Sequence, residues 1–264
     1  MIPKIIHYCW FGGNPLPELG EMCIASWKKH CPEYEIKLWN EDNFNVDMVP
    51  FTAQVAKANK WGFIVDYIRA YVVYCYGGIY LDIDVEILKP FSEDILQNTC
   101  FSGFENKKNI APGLVFAGEK KCIVAKELME FYESYNFIQK DGALNLTPSP
   151  KIFTNLLLRY GLKRNNTYQE LGVFTSYPTE YFCPVSLETR KINITENTYC
   201  IHHYAGSWLS DEELWRVETR KKVYAMLGDT VFSKIIVIFL LGIKRISIHG
   251  IFDTIIFCYK KYRG

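Results

Sequence analysis

The segment Trp61 to Pro90, WGFIVDYIRAYVVYCYGGIYLDIDVEILKP, narrows the folds open to this chain more than any other stretch. Phe63, Ile64, Tyr67, Ile68, Tyr71, Val72 and Cys75 recur at three- and four-residue steps, which predicts a helix from Phe63 to Tyr76 buried on a broad face. Gly77 and Gly78 end it, because glycine accepts the left-handed conformation that closes a helix, and the apolar run Ile79-Tyr80-Leu81 follows as a strand. Two acids close that run. Alternation along a strand sends Asp82 and Asp84 to one side and Ile83 to the other. Carboxylates converging at a strand end repel unless a cation or hydrogen-bond donors stand between them, and a hard divalent ion is the natural occupant. Oxygen-only ligation suits Mg2+ or Mn2+, which keep open positions for substrate phosphates.

The residues before this segment lay down strand, helix, strand. Lys4 to Trp10 reads as a first strand, followed by the loop Gly12-Gly13-Asn14-Pro15, then a helix from Pro17 to Lys29 stopped by His30-Cys31-Pro32. Tyr34 to Trp39 alternates as a second strand and runs into the polar loop Asn40-Glu41-Asp42-Asn43. Such an order implies βαβ units, a parallel sheet, and a ligand crevice outside the carboxyl ends of the strands. Trp10, Asn43 and the Asp82/Asp84 pair all fall at those ends. No G-x-G-x-x-G follows the first strand, and Gly113 to Lys120, GLVFAGEK, lacks the Ser or Thr of a phosphate loop, so it reads as a strand with flanking turns.

A length of 264 residues fits one main domain with an appendage. The net charge of +1, with 22% charged residues, gives no basic field for nucleic acid. Nine cysteines without a C-x-x-C pair argue against a disulfide framework or a zinc knuckle and for a reducing compartment. MIPKIIHYCWFGG lacks the long apolar region and cleavage site of a signal peptide, so a chain starting at Met1 in the cytoplasm is expected.

The motifs I-I-H-Y-C-W-F-G-G, D-Y-I-R-A-Y with Y-G-G-I-Y-L-D-I-D-V, and H-H-Y-A-G-S-W together resemble the retaining glycosyltransferases of family 32. This is the DXD sugar-transferase group that includes yeast-type mannosyltransferases and bacterial capsule and lipopolysaccharide enzymes, and the chain is more distantly similar to the glucosyltransferase domain of the large clostridial toxins. The resemblance covers roughly residues 2 to 210 and implies a GT-A-like, Rossmann-type α/β fold that binds a nucleotide-sugar. It implies that Asp84 ligates Mn2+ or Mg2+, that Asp82 contacts the donor's ribose and sugar, and that Asp66 and Arg69 hold the sugar hydroxyls. Asp66 and Arg69 stand three apart on one helical face, where the plain alternative is an intrahelical ion pair. Trp10 matches a tryptophan that stacks on the base, against the alternative of a core aromatic. Asn43 matches a nucleotide contact less closely and could instead cap the next element. Of two adjacent histidines on a short strand only one can face the metal; His203 is preferred as the C-terminal ligand, with His202 its competitor. Trp208 resembles a loop tryptophan that closes over the diphosphate and excludes water. Thr147-Pro148-Ser149-Pro150 places serine where the family has glycine.

Past Trp208 the resemblance fades, which divides the chain into a catalytic domain, 1–210, and a helical extension, 211–264. Asp211 to Met226 is predicted helical, with Ser210 as N-cap and Glu213 completing a capping box. The uncharged run Ile235 to Ile243 is too short to span a bilayer, but Lys234, Lys244, Arg245, Lys260, Lys261 and Arg263 flank apolar patches as in an interfacial anchor. The alternative is a helical pair packed on the catalytic domain. The expectation is a metal-dependent hexosyltransferase of bacterial polysaccharide synthesis, with UDP-sugar favoured over GDP-sugar, a glycan or lipid-linked acceptor, and a cytoplasmic location at the inner face of the plasma membrane if the anchor holds. Two rivals are a non-catalytic nucleotide-sugar-binding homologue and a haloacid-type phosphohydrolase, which wants Thr or Val where this chain has Glu86.

Overall fold

A computed structural model describes residues 1–186, 191–206, 211–228, 230–244 and 247. The chain divides into a larger unit, Met1–Val185 with Ile192–Trp208, and a smaller one, Ser186–Lys191 with Leu209–Gly264. In the larger unit β1 (Ile5–Cys9), α1 (Glu18–His30), β2 (Glu35–Trp39), α2 (Pro50–Lys57) and α3 (Val65–Tyr76) follow in order. β3 (Gly78–Tyr80), β4 (Val85–Ile87), α4 (Glu93–Leu96), β5 (Cys100–Gly103) and β6 (Phe116–Gly118) come next. The unit is completed by α5 (Ile123–Glu133), α6 (Ser149–Leu158), β7 (Gln169–Glu170), β8 (Thr175–Tyr177), α7 (Thr179–Phe182) and β9 (Cys200–His202).

Strand alternation sets the layering. Ile6, Tyr8, Ile79, Leu81, Phe101 and Ala117 point into one core with Cys23, Ile24 and Trp27 of α1. Cys9, Tyr80, Cys100 and Phe116 point into the other with α2, α3, α5 and α6. Helices therefore cover both faces of a seven-stranded sheet of order β2-β1-β3-β6-β5-β8-β7, the α/β class that the sequence predicts. The sheet is mixed, where the order of the first ninety residues predicts a parallel one. β1, β2 and β3 are parallel, but β6 runs antiparallel to both β3 and β5, and β7 antiparallel to β8. Residues 104–115 join β5 to β6 without a helix, a connection that can return a strand beside its predecessor but cannot make a parallel crossover.

The predicted helices are found within one or two residues. α1 carries Glu18 and Glu21 in its first turn and Lys28, Lys29 and His30 in its last, matched to the helix dipole. α3 begins two residues later than predicted, after a short 3-10 turn at Trp61–Phe63, and ends at Gly77, φ 70°. Gly78 lets β3 lie against β1, because a Cβ there would sit 2.6 Å from the Ile5 carbonyl oxygen. His7 locks this corner. Trp39 Nε1 donates to its Nδ1 at 3.1 Å, so its Nε2 carries the proton and donates to Gly77 O at 2.8 Å. Burial keeps this imidazole neutral, with its pKa pushed down to about 4.

In the smaller unit α8 (Asp211–Leu227) is followed by helical residues 231–244. Val223, Tyr224 and Val237 pack together, while Phe232, Ile235, Ile238 and Phe239 form an exposed apolar stripe at helical spacing. The predicted cap Ser210, and Arg245, Lys260, Lys261 and Arg263, lie outside the described residues. Among the described residues no helix is long and apolar enough to cross a membrane.

Candidate active site

The D-x-D does not lie on a strand. β3 ends at Tyr80, and Asp82 to Asp84 form a turn in which Val85 N donates to Asp82 O at 3.1 Å, so strand alternation is not what brings the carboxylates together. The turn is pinned from behind: Leu81 N donates to His7 O and Asp82 N to Gly113 O, both at 3.0 Å. A Cβ on Gly113 would fall 2.1 Å from Asp82 Oδ2, which explains the glycine in GLVFAGEK.

Asp82 belongs to a cluster around Arg69. The guanidinium lies 3.2 Å from Asp66 Oδ1 and 3.5 Å from Asp82 Oδ1, and also donates to Ser149 Oγ at 3.3 Å and to Val65 O at 3.2 Å. Tyr80 donates its hydroxyl proton to the same Asp82 oxygen at 2.9 Å. Asp66 and Arg69 are buried, whereas the Asp82 side chain keeps 28% of its surface. The pair is thus more than an exposed intrahelical bridge, because its cation reaches across to the D-x-D. Burial pushes the Asp66 carboxyl up to about 6 against the pull of Arg69, and pushes Asp82 upward in the same way. Tyr132 of α5 stands behind Asp66.

Asp84 belongs to a second cluster. β4 leaves the turn and pairs antiparallel with β9, Val85 opposite His202 and Ile87 opposite Cys200. This register sets His202 Nε2 3.0 Å from Asp84 Oδ1, while Ala205 N donates to Oδ2 at 2.8 Å. Burial alone would raise the Asp84 carboxyl, but the His202 charge and hydrogen bond together with the Ala205 N–H hold it down to about 2. Burial lowers the His202 pKa, and Asp84 outweighs it to raise it. One ligand atom each from Asp82, Asp84 and His202 lies within 4.8 Å of the others. His203, preferred from the sequence, instead sends its ring to Glu86 at 2.9 Å and its backbone N–H to Asp84 O. Two carboxylates and one imidazole fit a divalent ion such as Mn2+ or Mg2+.

The remaining sequence candidates are placed less tightly. Trp10 is half-buried just past β1, with its indole donating to Asn14 O at 2.5 Å. Asn43 is engaged in its own loop, donating to Leu38 O at 2.9 Å and accepting from Asn40 N at 3.1 Å. Trp208 lies outside the described residues. Tyr80, Gly113 and Ala205 join the site without being among the sequence candidates. Tyr80 had a signal, since Y-L-D puts its side chain on the face toward Asp82 if the strand runs on. Ala205 had none, because it acts through its backbone.

Residues 17–102, which hold α3 and the D-x-D, match the family model described as "Glycosyltransferase sugar-binding region containing DXD motif". "Inositol phosphoceramide mannosyltransferase 3" of Schizosaccharomyces pombe is 32% identical over 97 residues, 32% of this chain and 24% of that protein. "Inositol phosphoceramide mannosyltransferase 2" of the same organism is 35% identical over 88 residues, 32% of this chain and 25% of that protein. The chain therefore spans about a quarter of the length of these relatives. Among solved structures, "PaToxG Glycosyltransferase" superposes with a TM-score of 0.45 at 20% identity, over 60% of this chain and 69% of that one. A "glycosyltransferase involved in the glycosylation of the major capsid of PBCV-1" gives a TM-score of 0.46 at 11% identity, over 83% and 100%.

Proposed function

We propose that the protein is a divalent-metal-dependent glycosyltransferase that moves a sugar from a nucleotide-sugar to a hydroxyl of a glycan or lipid-linked acceptor. The observation that supports this best is the convergence of Asp82, Asp84 and His202 within 4.8 Å, beside a buried Arg69 that already bridges Asp66 and Asp82. Asp84 and His202 would hold the ion, with Asp82 at its edge. The ion supplies positive charge where the diphosphate departs. Arg69 and Asp66 present a donor and an acceptor in fixed geometry, suited to a sugar's vicinal hydroxyls, and Asp82, bonded to Arg69 and grouped with Asp84 and His202, would contact ribose and sugar. Trp10, at the carboxyl end of β1, would stack on the base; Asn43, which holds its own loop, would contact the nucleotide; Trp208 would close the diphosphate from water.

The donor is read as a UDP-sugar and the transfer as retaining, within polysaccharide synthesis on the cytoplasmic side of a bacterial membrane. The exposed stripe of Phe232, Ile235, Ile238 and Phe239, with Lys234 and Lys244 on the same helical segment, supports a peripheral attachment to an anionic surface. The relatives' names point to a mannosyl donor and a lipid acceptor for those proteins, which makes GDP-mannose the necessary comparison. Incubation with Mn2+ and a panel of UDP- and GDP-sugars should release nucleotide from a UDP-sugar, and chelation should abolish the release. No release from any donor would overturn the transferase reading in favour of a binding protein, release only from GDP-mannose would overturn the UDP assignment, and failure to sediment with anionic vesicles would remove the membrane attachment.

A further inference from the structure

A cleft of about 700 Å3 opens between α5 and α6, a size at which proteins hold small ligands. Its walls follow from helix periodicity. α5 turns Val124, Leu128 and Tyr132 into the core, which leaves Glu127, Glu130 and Phe131 together on a neighbouring face. α6 presents Ile152, Asn155, Leu156 and Arg159 at three- and four-residue steps. Tyr135, just past α5, and Asn145 and Thr147, just before α6, complete the lining. None of these residues belongs to the two carboxylate clusters, although Ser149, which accepts from Arg69, starts α6 two residues after Thr147.

The lining carries both an apolar face and open polar groups. Phe131 is exposed, and its ring lies 5.1 Å from that of Tyr135 at 34°, so the two form one aromatic wall. Phe51 backs Tyr135, ring to ring at 6.0 Å. The Tyr135 hydroxyl is buried and has no hydrogen-bond partner among the described residues. An unpaired buried hydroxyl is costly, and an oxygen of a ligand in the cleft that Tyr135 lines would satisfy it. Asn145 and Asn155 each engage their Oδ1, accepting from Thr147 Oγ1 at 2.8 Å and from Arg164 Nη2 at 2.7 Å, which leaves their amide N–H groups for a ligand. Charge excludes an anion. Arg159, the cation of the lining, is tied to Glu127 at 2.6 Å, and Glu130 adds a second carboxylate, so a phosphate would find no open cation. An aromatic wall beside amide donors suits a neutral ring with one C–H face and a rim of hydroxyls, which is the chemistry of a sugar.

Resting on the transferase reading for the source of the glycan, we infer that this cleft is a second sugar site, one that binds uncharged sugar units of the acceptor chain apart from the unit that reacts. The Phe131–Tyr135 wall carries the C–H face of a sugar ring, Asn145 and Asn155 donate to its oxygens, and the Tyr135 hydroxyl pairs with a further one. A long acceptor is then held at two places on the protein, and a single sugar at one.

The test uses the full chain without donor or metal, titrated with maltotriose, cellotriose and mannotriose and followed by saturation-transfer NMR and calorimetry. At least one trisaccharide should bind saturably. Phe131→Ala should weaken that binding about tenfold and Tyr135→Phe about threefold, while Asp84→Asn should bind as the unmodified chain does. Tyr135→Phe removes one hydroxyl and no packing, so it decides the matter if Phe131→Ala disturbs α5. No saturable binding of any of the three, or binding that Asp84→Asn abolishes and both cleft variants spare, would overturn the sugar site. Nucleotide release from the donor to water is read separately and should be unchanged in Phe131→Ala. A chain that binds the trisaccharide through Phe131 and Tyr135 but releases nucleotide from no donor would keep the sugar site and lose the transferase reading.

Discussion

Asp82 and Asp84 stand two residues apart in one turn, yet different regions of the molecule hold them. Asp82 faces a permanent cation. Arg69, Tyr80 and the backbone of Gly113 fix it, and all three come from elements that surround the same strand. Asp84 faces a titratable imidazole and one backbone N–H from a segment over a hundred residues away, brought in by β9. The first cluster is complete in the metal-free chain and presents donor and acceptor groups ready-made. In the second, a His202–Asp84 hydrogen bond stands where the proposed ion would sit, so an ion bound there would replace it. One side is preorganised, and the other is loaded.

The comparison breaks most sharply at Asp84. Asp84→Asn should reduce metal-dependent turnover by about a thousandfold or more, since it would remove a proposed ligand of the ion, and excess Mn2+ should not restore it. Asp82→Asn should also reduce turnover but leave Mn2+ binding closer to that of the unmodified protein, read by titration calorimetry. Equal loss of metal affinity in the two variants would merge the clusters into one. Arg69→Met attacks the other side. It strands the buried Asp66 and leaves the partly exposed Asp82 without its cation, and should lower the unfolding free energy by about 3 kcal/mol, seen as a fall in denaturation midpoint with the slope unchanged.

Within the metal side, His202→Gln should weaken Mn2+ binding about 10- to 100-fold, whereas His203→Gln should change it only a few-fold. The reverse order would restore the sequence preference for His203. That preference shows what could be read from residues alone. Strand alternation sends the two histidines to opposite faces, and the structure sets His202 beside Asp84 and His203 beside Glu86. Which one meets Asp84 depends on the register of β9 against β4, a pairing between residues 85–87 and 200–202 that no local pattern encodes. The same limit explains the D-x-D itself. Ile79-Tyr80-Leu81-Asp82 alternates as a strand would, but the strand stops at Tyr80, and the carboxylates converge through a turn held by His7 and Gly113. α3, its glycine stop, and the Asp66–Arg69 face were legible because helix periodicity and capping are local. The antiparallel course of β6 was not, because it depends on how far a helix-free loop lets the chain turn back.

pH offers the finest division between the two clusters, because their groups titrate with opposite consequences. The His202 pKa is raised in the fold by Asp84, so in the metal-free protein its contribution to stability is present below the ordinary histidine pKa and is lost as pH rises through the raised value. Mn2+ must displace that same proton, so its affinity should climb with pH by up to about tenfold per unit below the raised pKa and then level off. Asp84, held down to about 2, stays ionised throughout and adds no slope. On the donor side, Asp66 is raised to about 6, so its effect on stability falls as pH rises from the ordinary carboxyl value to about 6 and is flat above. Above about pH 6 only the metal cluster should therefore respond. Melting temperatures taken from about pH 6 to about pH 8.5, with and without saturating Mn2+, should diverge as pH rises. Because His202 is the group exchanged, the divergence should flatten in His202→Gln and persist in His203→Gln; a metal-induced shift of constant size across that range in the unmodified protein would show that no proton is exchanged at Asp84 and that both clusters are preorganised alike.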